Sequence, residues 1–172
     1  NHESGTDRCG EVFENISEHF DVIINIQGDE PFIEPFQISQ LISLFNDENV
    51  KIATLSKKIE DYTSLTDEDR VKVFFDEENN ATSFVRNYEI SEEEFHKDNF
   101  YKHIGIYAFR STVLEKITKL SASKNEKQLK LEQLRWLDNK FKIKVGITEF
   151  ESISVDTTED IEKIEEFHSK NS

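Results

Sequence analysis

Methionine is absent from this 172-residue chain; cysteine and tryptophan occur once each, proline twice and glycine five times. A lone Cys9 excludes any disulfide within the chain and favours a reducing compartment. It reads as a small buried residue rather than a nucleophile. Long apolar runs are missing as well: none approaches the ~20 residues that a bilayer-spanning helix needs, which argues against membrane insertion. Positive charge is scarce. Lys and Arg number 21 against 36 Asp and Glu, a formal net charge of −15. Such a surface repels phosphate backbones and excludes non-specific nucleic-acid binding. Any anionic ligand then needs an intervening cation or locally placed basic groups, so the positions of the five arginines carry information.

What the chain does have is apolar and aromatic mass for one core. Hydrophobic residues make up 35% and include fourteen Phe, which suits a single domain over residues 1–172. Val12, Phe13, Ile16 and Phe20 fall at helical spacing within 11–20. "VIINIQ" reads as a strand buried on both faces, as in a parallel sheet between helices. Pro35 marks a helix start, and "FQISQLISLF" places Phe36, Ile38, Leu41, Ile42 and Phe45 largely on one side. "KIATLSKK" alternates as a strand, and "EDYTSLTDEDR" is a solvated loop or short helix. "VKVFF" and "ATSFV" flank a polar turn as a β-hairpin, followed by a charged connection without a clear period. "YKHIGIYAF" is a strand leading to a helix with Thr112 and Glu115 in capping-box spacing. Residues 126–139 read as one Leu-rich helix, "FKIKVGITEF" as a strand and "TEDIEKIEEF" as a closing helix. Strands alternating with helices predict an α/β fold.

Ligands of an open α/β sheet gather beyond the carboxyl ends of its strands. Asp29 follows one strand end and Asp156 another. Two hard carboxylates from separate strands suit Mg²⁺, which would screen a triphosphate from the acidic chain; equally, Asp is favoured in turns and at helix N-caps for purely local reasons. His103, Gly105 and Tyr107 share one face of their strand. His103 and Tyr107 can hydrogen-bond a hydroxylated ligand across the gap at Gly105, or form an ordinary half-buried strand. Glu132 and Gln133 lie between Leu131 and Leu134, where facing solvent is the default.

Together these segments resemble one family, the bacterial cytidylyltransferases that make the CMP-activated form of 3-deoxy-manno-octulosonate (Kdo). The resemblance rests on "NHESGTDR", "NIQGDEPFI", "VKVFFD", "HIGIYAFR", "KLEQLRWL" and "SVDTTEDIE", in the family's order and spread over nearly the whole chain. It implies a Rossmann-like nucleotide-diphospho-sugar transferase fold, with a mixed, mostly parallel sheet, flanking helices and a β-hairpin excursion. It further implies attack of the Kdo anomeric hydroxyl on the α-phosphorus of CTP, a homodimer, a cytoplasmic location and a product used for lipopolysaccharide. Asp29 and Asp156 match the catalytic, magnesium-binding acids. Ser4, Gly5, Thr6, Arg8 and Gln27 match nucleotide contacts, the first four in a loop. Arg86 matches an arginine suited to the sugar acid's carboxylate; His103, Tyr107, Glu132 and Gln133 match positions that hold its hydroxyls. Two other readings stand beside this one: a sister enzyme for a sialic-acid-type substrate, and an inactive binding or assembly module.

The sequence departs from the family in places. "VRNYEI" stands where an "SRSPIP"-like run is usual, Thr158 replaces a proline, and Leu129 sits where an acid is common. The family's opening strand and its phosphate loop, PAR-x-x-S-x-R-x-PGK-x-L, do not occur in these residues. The chain begins at Asn1 in what reads as the middle of a loop, and the expectation is a fold incomplete at its N-terminus. On that expectation residues 1–172 alone release no pyrophosphate from CTP and Kdo, and turnover by this segment would overturn it.

Overall fold

A computed structural model of the chain describes residues 4–28 and 30–150. In chain order the elements are α1 (Gly5–Glu14), β1 (Val22–Ile26), α2 (Pro35–Ser43), β2 (Ile52–Lys58), α3 (Tyr62–Thr66), β3 (Lys72–Phe75), β4 (Ala81–Val85) and α4 (Glu92–Phe95), then β5 (Tyr101–Arg110), α5 (Ser111–Ile117), α6 (Lys124–Leu129), α7 (Gln133–Asp138) and β6 (Ile143–Ile147).

The six described strands form one mixed sheet, as expected, ordered β4-β3-β5-β2-β6 with β1 also on β5. The parallel character differs from expectation. β1, β2, β3 and β6 run one way, but reversed β5 stands between them, so β1, β2 and β3 all meet it antiparallel. Among the described ladders only β2–β6 is parallel. The β3–β4 hairpin forms as read, and its turn reaches β6, where the Val145 N–H donates to the Asn79 carbonyl at 2.8 Å.

Burial reverses two strand readings. β2, read as alternating, is buried at five consecutive residues, Ile52 to Ser56, because β5 and β6 flank it and both faces are covered. "VIINIQ" is only half-buried, since among the described residues β1 has one ladder partner.

The helices differ too. The helix placed at 11–20 ends at Glu14 and starts earlier, because the Ser4 hydroxyl accepts the Asp7 N–H and caps Gly5 onward; Val12, Ile16 and Phe20 are exposed. In α2, Leu41 is buried but Phe36 and Ile42 are exposed, so its apolar stripe is narrower than read. α5 has no side-chain cap from Thr112; β5 runs straight into it, and the Ser111 N–H donates to the Asp21 carbonyl instead. The single helix at 126–139 is two, broken at Lys130, which takes a left-handed φ of 54°. The charged connection after β4 contains α4, closed by a Ser91–Glu94 capping box.

The sheet separates two apolar layers. One face carries Ala53, Leu55, Ile104, Ile106 and Ala108 against Leu41 and Phe45. The other carries Ile52, Tyr107, Phe109 and Val145 against Trp136, Leu114 and the hairpin's Phe84. Trp136 is 1% exposed and meets Tyr107 and Phe109 edge-on. This aromatic face is where polar groups also converge.

Close packing makes Gly10 of α1 a sensitive position. A Cβ there would lie 2.6 Å from Thr118 Cγ2. Overpacking costs roughly 1–3 kcal/mol, more than the ~1 kcal/mol of helix propensity that alanine returns. Gly10→Ala is therefore expected to lower stability in urea unfolding, and Gly10→Ala with Thr118→Ser, which removes the clashing methyl, to recover it.

Candidate active site

α1 begins against the start of α7, and one carboxylate joins them. Ser4 Oγ donates to Glu132 Oε1 at 2.6 Å and Thr6 Oγ1 donates to Glu132 Oε2 at 3.0 Å. Each hydroxyl has one proton, so each turns its lone pairs to a second donor: Ser4 accepts the Asp7 N–H, and Thr6 accepts Asn25 Nδ2 of β1 at 3.5 Å. Thus "SGTDR" is a capped helix start, not the loop expected. Burial pushes the Glu132 carboxyl up, and the two hydroxyls pull it back. The solvent-facing reading of Glu132 and Gln133 fails: Glu132, turned onto Ser4 and Thr6, is half-buried and Gln133 is buried. Gly5 lies beside Gln27, with its missing Cβ 3.7 Å from Gln27 Cδ. Arg8 points out, exposed on α1.

A buried arginine underlies this junction. Arg135, 3% exposed, donates to both oxygens of Glu126 at 2.6 and 2.9 Å and pairs with Asp7 at 3.4 Å. It ties α6, α7 and α1 together, and its bidentate grip raises its own pKa further.

Next to Glu132 along the aromatic face stands Tyr107. Its ring is 3% exposed, and among the described residues its hydroxyl has no hydrogen-bond partner. Burial first, and the Glu132 charge second, hold this phenol well above its ordinary pKa. His103 follows, its ring 5.1 Å from Tyr107 and edge-on to Phe84 at 5.2 Å. Exclusion of water pushes the imidazole down to about 3, so it is neutral at physiological pH. Its Nε2 lies 2.9 Å from Thr54 Oγ1.

The gap expected at Gly105 is filled. Glu30, 9% exposed, accepts the Gly105 N–H at 3.1 Å, and a Cβ on Gly105 would meet the same Oε1 at 2.9 Å. The bare Cα lets the Glu30 carboxylate rest on the strand, and a side chain there would have to push that carboxylate aside. Sequence reasoning gave Glu30 no role, although its delivery beside Asp29 and Pro31 at the end of β1 was a usable signal. Lys102, also without a role from the sequence, faces Lys57 and Lys72 across the neighbouring strands. Burial, then Arg70 and Lys57, draw it down to about 8 against the pull of Glu30.

Arg86 follows the end of β4, two residues past Phe84. Lys72 Nζ donates to its carbonyl at 2.5 Å, but among the described residues no hydrogen bond or ion pair joins its guanidinium to His103, Tyr107, Glu132 or Gln133. Cys9 is half-buried in the aromatic layer, and burial raises its pKa, as suits a packing residue. Asp29 and Asp156 lie outside the described residues, as do the sequence-predicted helix after Asp156 and its strand end. Among the described residues no cluster of His, Cys, Asp and Glu is arranged to hold a metal ion, and no helix is long and apolar enough to cross a membrane.

A family model described as Cytidylyltransferase matches residues 1–153. The chain is similar to the 3-deoxy-manno-octulosonate cytidylyltransferase of Parabacteroides distasonis, 48% identical over 94% of this chain and 68% of that protein. It is also similar to the 8-amino-3,8-dideoxy-manno-octulosonate cytidylyltransferase of Shewanella baltica, 40% identical over 95% of this chain and 68% of that protein. A solved structure of CMP:2-keto-3-deoxy-manno-octonic acid synthetase complexed with CTP superposes with a TM-score of 0.87 at 32% identity, over 100% of this chain and 70% of that one.

Removing one partner of a buried ion pair leaves the other charge uncompensated, at a cost of about 3–5 kcal/mol. Arg135→Met is therefore expected to destabilise the fold by that order in urea unfolding. A loss below about 1 kcal/mol would show that Glu126 and Asp7 find water instead.

Proposed function

This chain belongs to the cytidylyltransferase family, and we propose that it transfers the CMP unit of CTP to 3-deoxy-manno-octulosonate, releasing pyrophosphate. The observation that carries this reading is the unpartnered Tyr107 hydroxyl, buried between neutral His103 and the Glu132 carboxylate. A buried hydroxyl without a partner costs about 1–3 kcal/mol, so the position suits a ligand rich in hydroxyl groups. The similarity to Kdo cytidylyltransferases over nearly the whole chain supports the same substrate.

The chain's own residues divide the work by chemistry. Tyr107 donates to a sugar oxygen, and His103 and Glu132 accept from sugar hydroxyls. Gln133, beside Glu132, and Gln27, beside Gly5, supply amide contacts. The N-terminal turn of α1, with Ser4, Gly5 and Thr6, meets the nucleotide, and exposed Arg8 adds a positive charge nearby. Arg86, whose backbone is anchored by Lys72, grips the sugar acid's carboxylate. Asp29 and Asp156 would hold Mg²⁺ through hard carboxylate oxygens; when bound, the ion neutralises the triphosphate and polarises the phosphorus under attack. The sugar's anomeric hydroxyl then displaces pyrophosphate in line, and catalysis is chiefly positioning and charge neutralisation. A cytoplasmic homodimer supplying lipopolysaccharide synthesis completes the reading.

The Shewanella baltica relative, named for the 8-amino sugar, marks the closest competing substrate class. Pyrophosphate release measured with CTP and a panel of Kdo, its 8-amino analogue and a sialic acid, using the polypeptide that carries this sequence, decides among them. Kdo is expected to give the highest kcat/KM, and a preference for either alternative overturns the assignment. Tyr107→Phe, which removes one hydrogen bond, is expected to raise the KM for Kdo about 2–10-fold with a smaller change in kcat.

A further inference from the structure

Near the middle of β2 the ladder to β5 slips. Leu55 pairs with Ile104, and the next residue, Thr54, pairs with Tyr107, so Gly105 and Ile106 have no Cα partner on β2. The slip brings the wholly buried Thr54 hydroxyl against β5, where two carbonyls approach it: Ile106 O at 2.7 Å and Ile104 O at 3.3 Å. His103 Nε2 approaches the same oxygen at 2.9 Å. A hydroxyl has one proton and two lone pairs. With that proton directed at the carbonyls, Thr54 Oγ1 is available to His103 only as an acceptor, and Nε2 has to carry a hydrogen.

We propose that Thr54 is a positioning residue that locks His103 in its Nε2–H form, so that Nδ1 presents a lone pair as the acceptor for a substrate hydroxyl. The opposite tautomer would turn Nε2 into a second acceptor facing Oγ1, or draw the threonine proton away from the Ile106 carbonyl that it reaches at 2.7 Å. Phe84 and Tyr107 hold the ring in place around this bond. The role of Nδ1 rests on the sugar-binding reading given above, whereas the tautomer rests on the protein's own contacts.

Two measurements test the two parts separately. Long-range ¹H–¹⁵N correlation spectra of the histidine rings in the ligand-free chain read the tautomer directly. At neutral pH His103 is expected to show a protonated Nε2 and an unprotonated Nδ1, with no titration between pH 5 and 9. A protonated Nδ1, or a charged ring at pH 7, overturns the proposal whatever the substrate is. Thr54→Val keeps the shape and removes the hydroxyl. It is expected to mix the two tautomers and raise the KM for the sugar acid about 3–10-fold with kcat changed less than about twofold, the loss of one hydrogen bond; Thr54→Ser is expected to restore both readouts. Unchanged tautomer and KM in Thr54→Val also overturn it. If the spectra show Nε2–H but the sugar acid does not bind, the functional reading fails and the locked ring stands.

Discussion

Glu132 takes two hydroxyl protons across 128 and 126 residues of chain, from Ser4 and Thr6. That carboxylate closes the start of α1 onto the start of α7, and Asn25 of β1 joins through Thr6. Beneath it Arg135 of α7 gathers Glu126 of α6 and Asp7 of α1, so two acids from two other helices are satisfied by one buried guanidinium. Without that junction the aromatic face would still be apolar, but its polar groups would have no common location. The candidate site depends on charges that are paired or hydrogen-bonded before any ligand arrives.

The two faces of the sheet divide structure from chemistry. The layer against α2 is made of aliphatic residues with Phe45, whereas the opposite layer mixes Trp136, Phe109 and Phe84 with Tyr107, His103 and Thr54. Aromatic rings tolerate this arrangement because they present large apolar surfaces while leaving a polar edge or hydroxyl free to point into a site. Burial beside the same rings keeps His103 uncharged and Tyr107 protonated, so both offer hydrogen bonds rather than charge. Positive charge is concentrated elsewhere, on the row of Lys57, Lys102 and Lys72 crossing three neighbouring strands. In a chain of net charge −15 that local concentration is a feature of the fold rather than of composition.

Departures from the sequence reading have specific causes. The hairpin and the strand at "YKHIGIYAF" were legible because alternation and turn residues act over a few neighbours. The break at Lys130 was not, since residues 126–139 are rich in helix-forming Leu, Glu, Gln and Lys on both sides of it and no glycine or proline marks the left-handed turn. Burial of β2 exceeded its pattern because Thr54 and Ser56 are polar by composition but bonded to β5 and β6 backbone. Glu30 went unassigned because its partner, the Gly105 N–H, lies 75 residues away. The resemblance named Glu132 among the sugar-holding positions, yet gave no sign that it already accepts hydrogen bonds from two hydroxyls.

From residue order alone came most of the local elements, their succession and the family, for each depends on periodicity or on short motifs. Tertiary folding decided which strands became neighbours, which polar atoms lost water and which donors met which acceptors. The physical reason is separation: backbone preference acts over about one helical turn, whereas hydrogen bonds such as Thr54–His103 and Ser4–Glu132 join groups 49 and 128 residues apart.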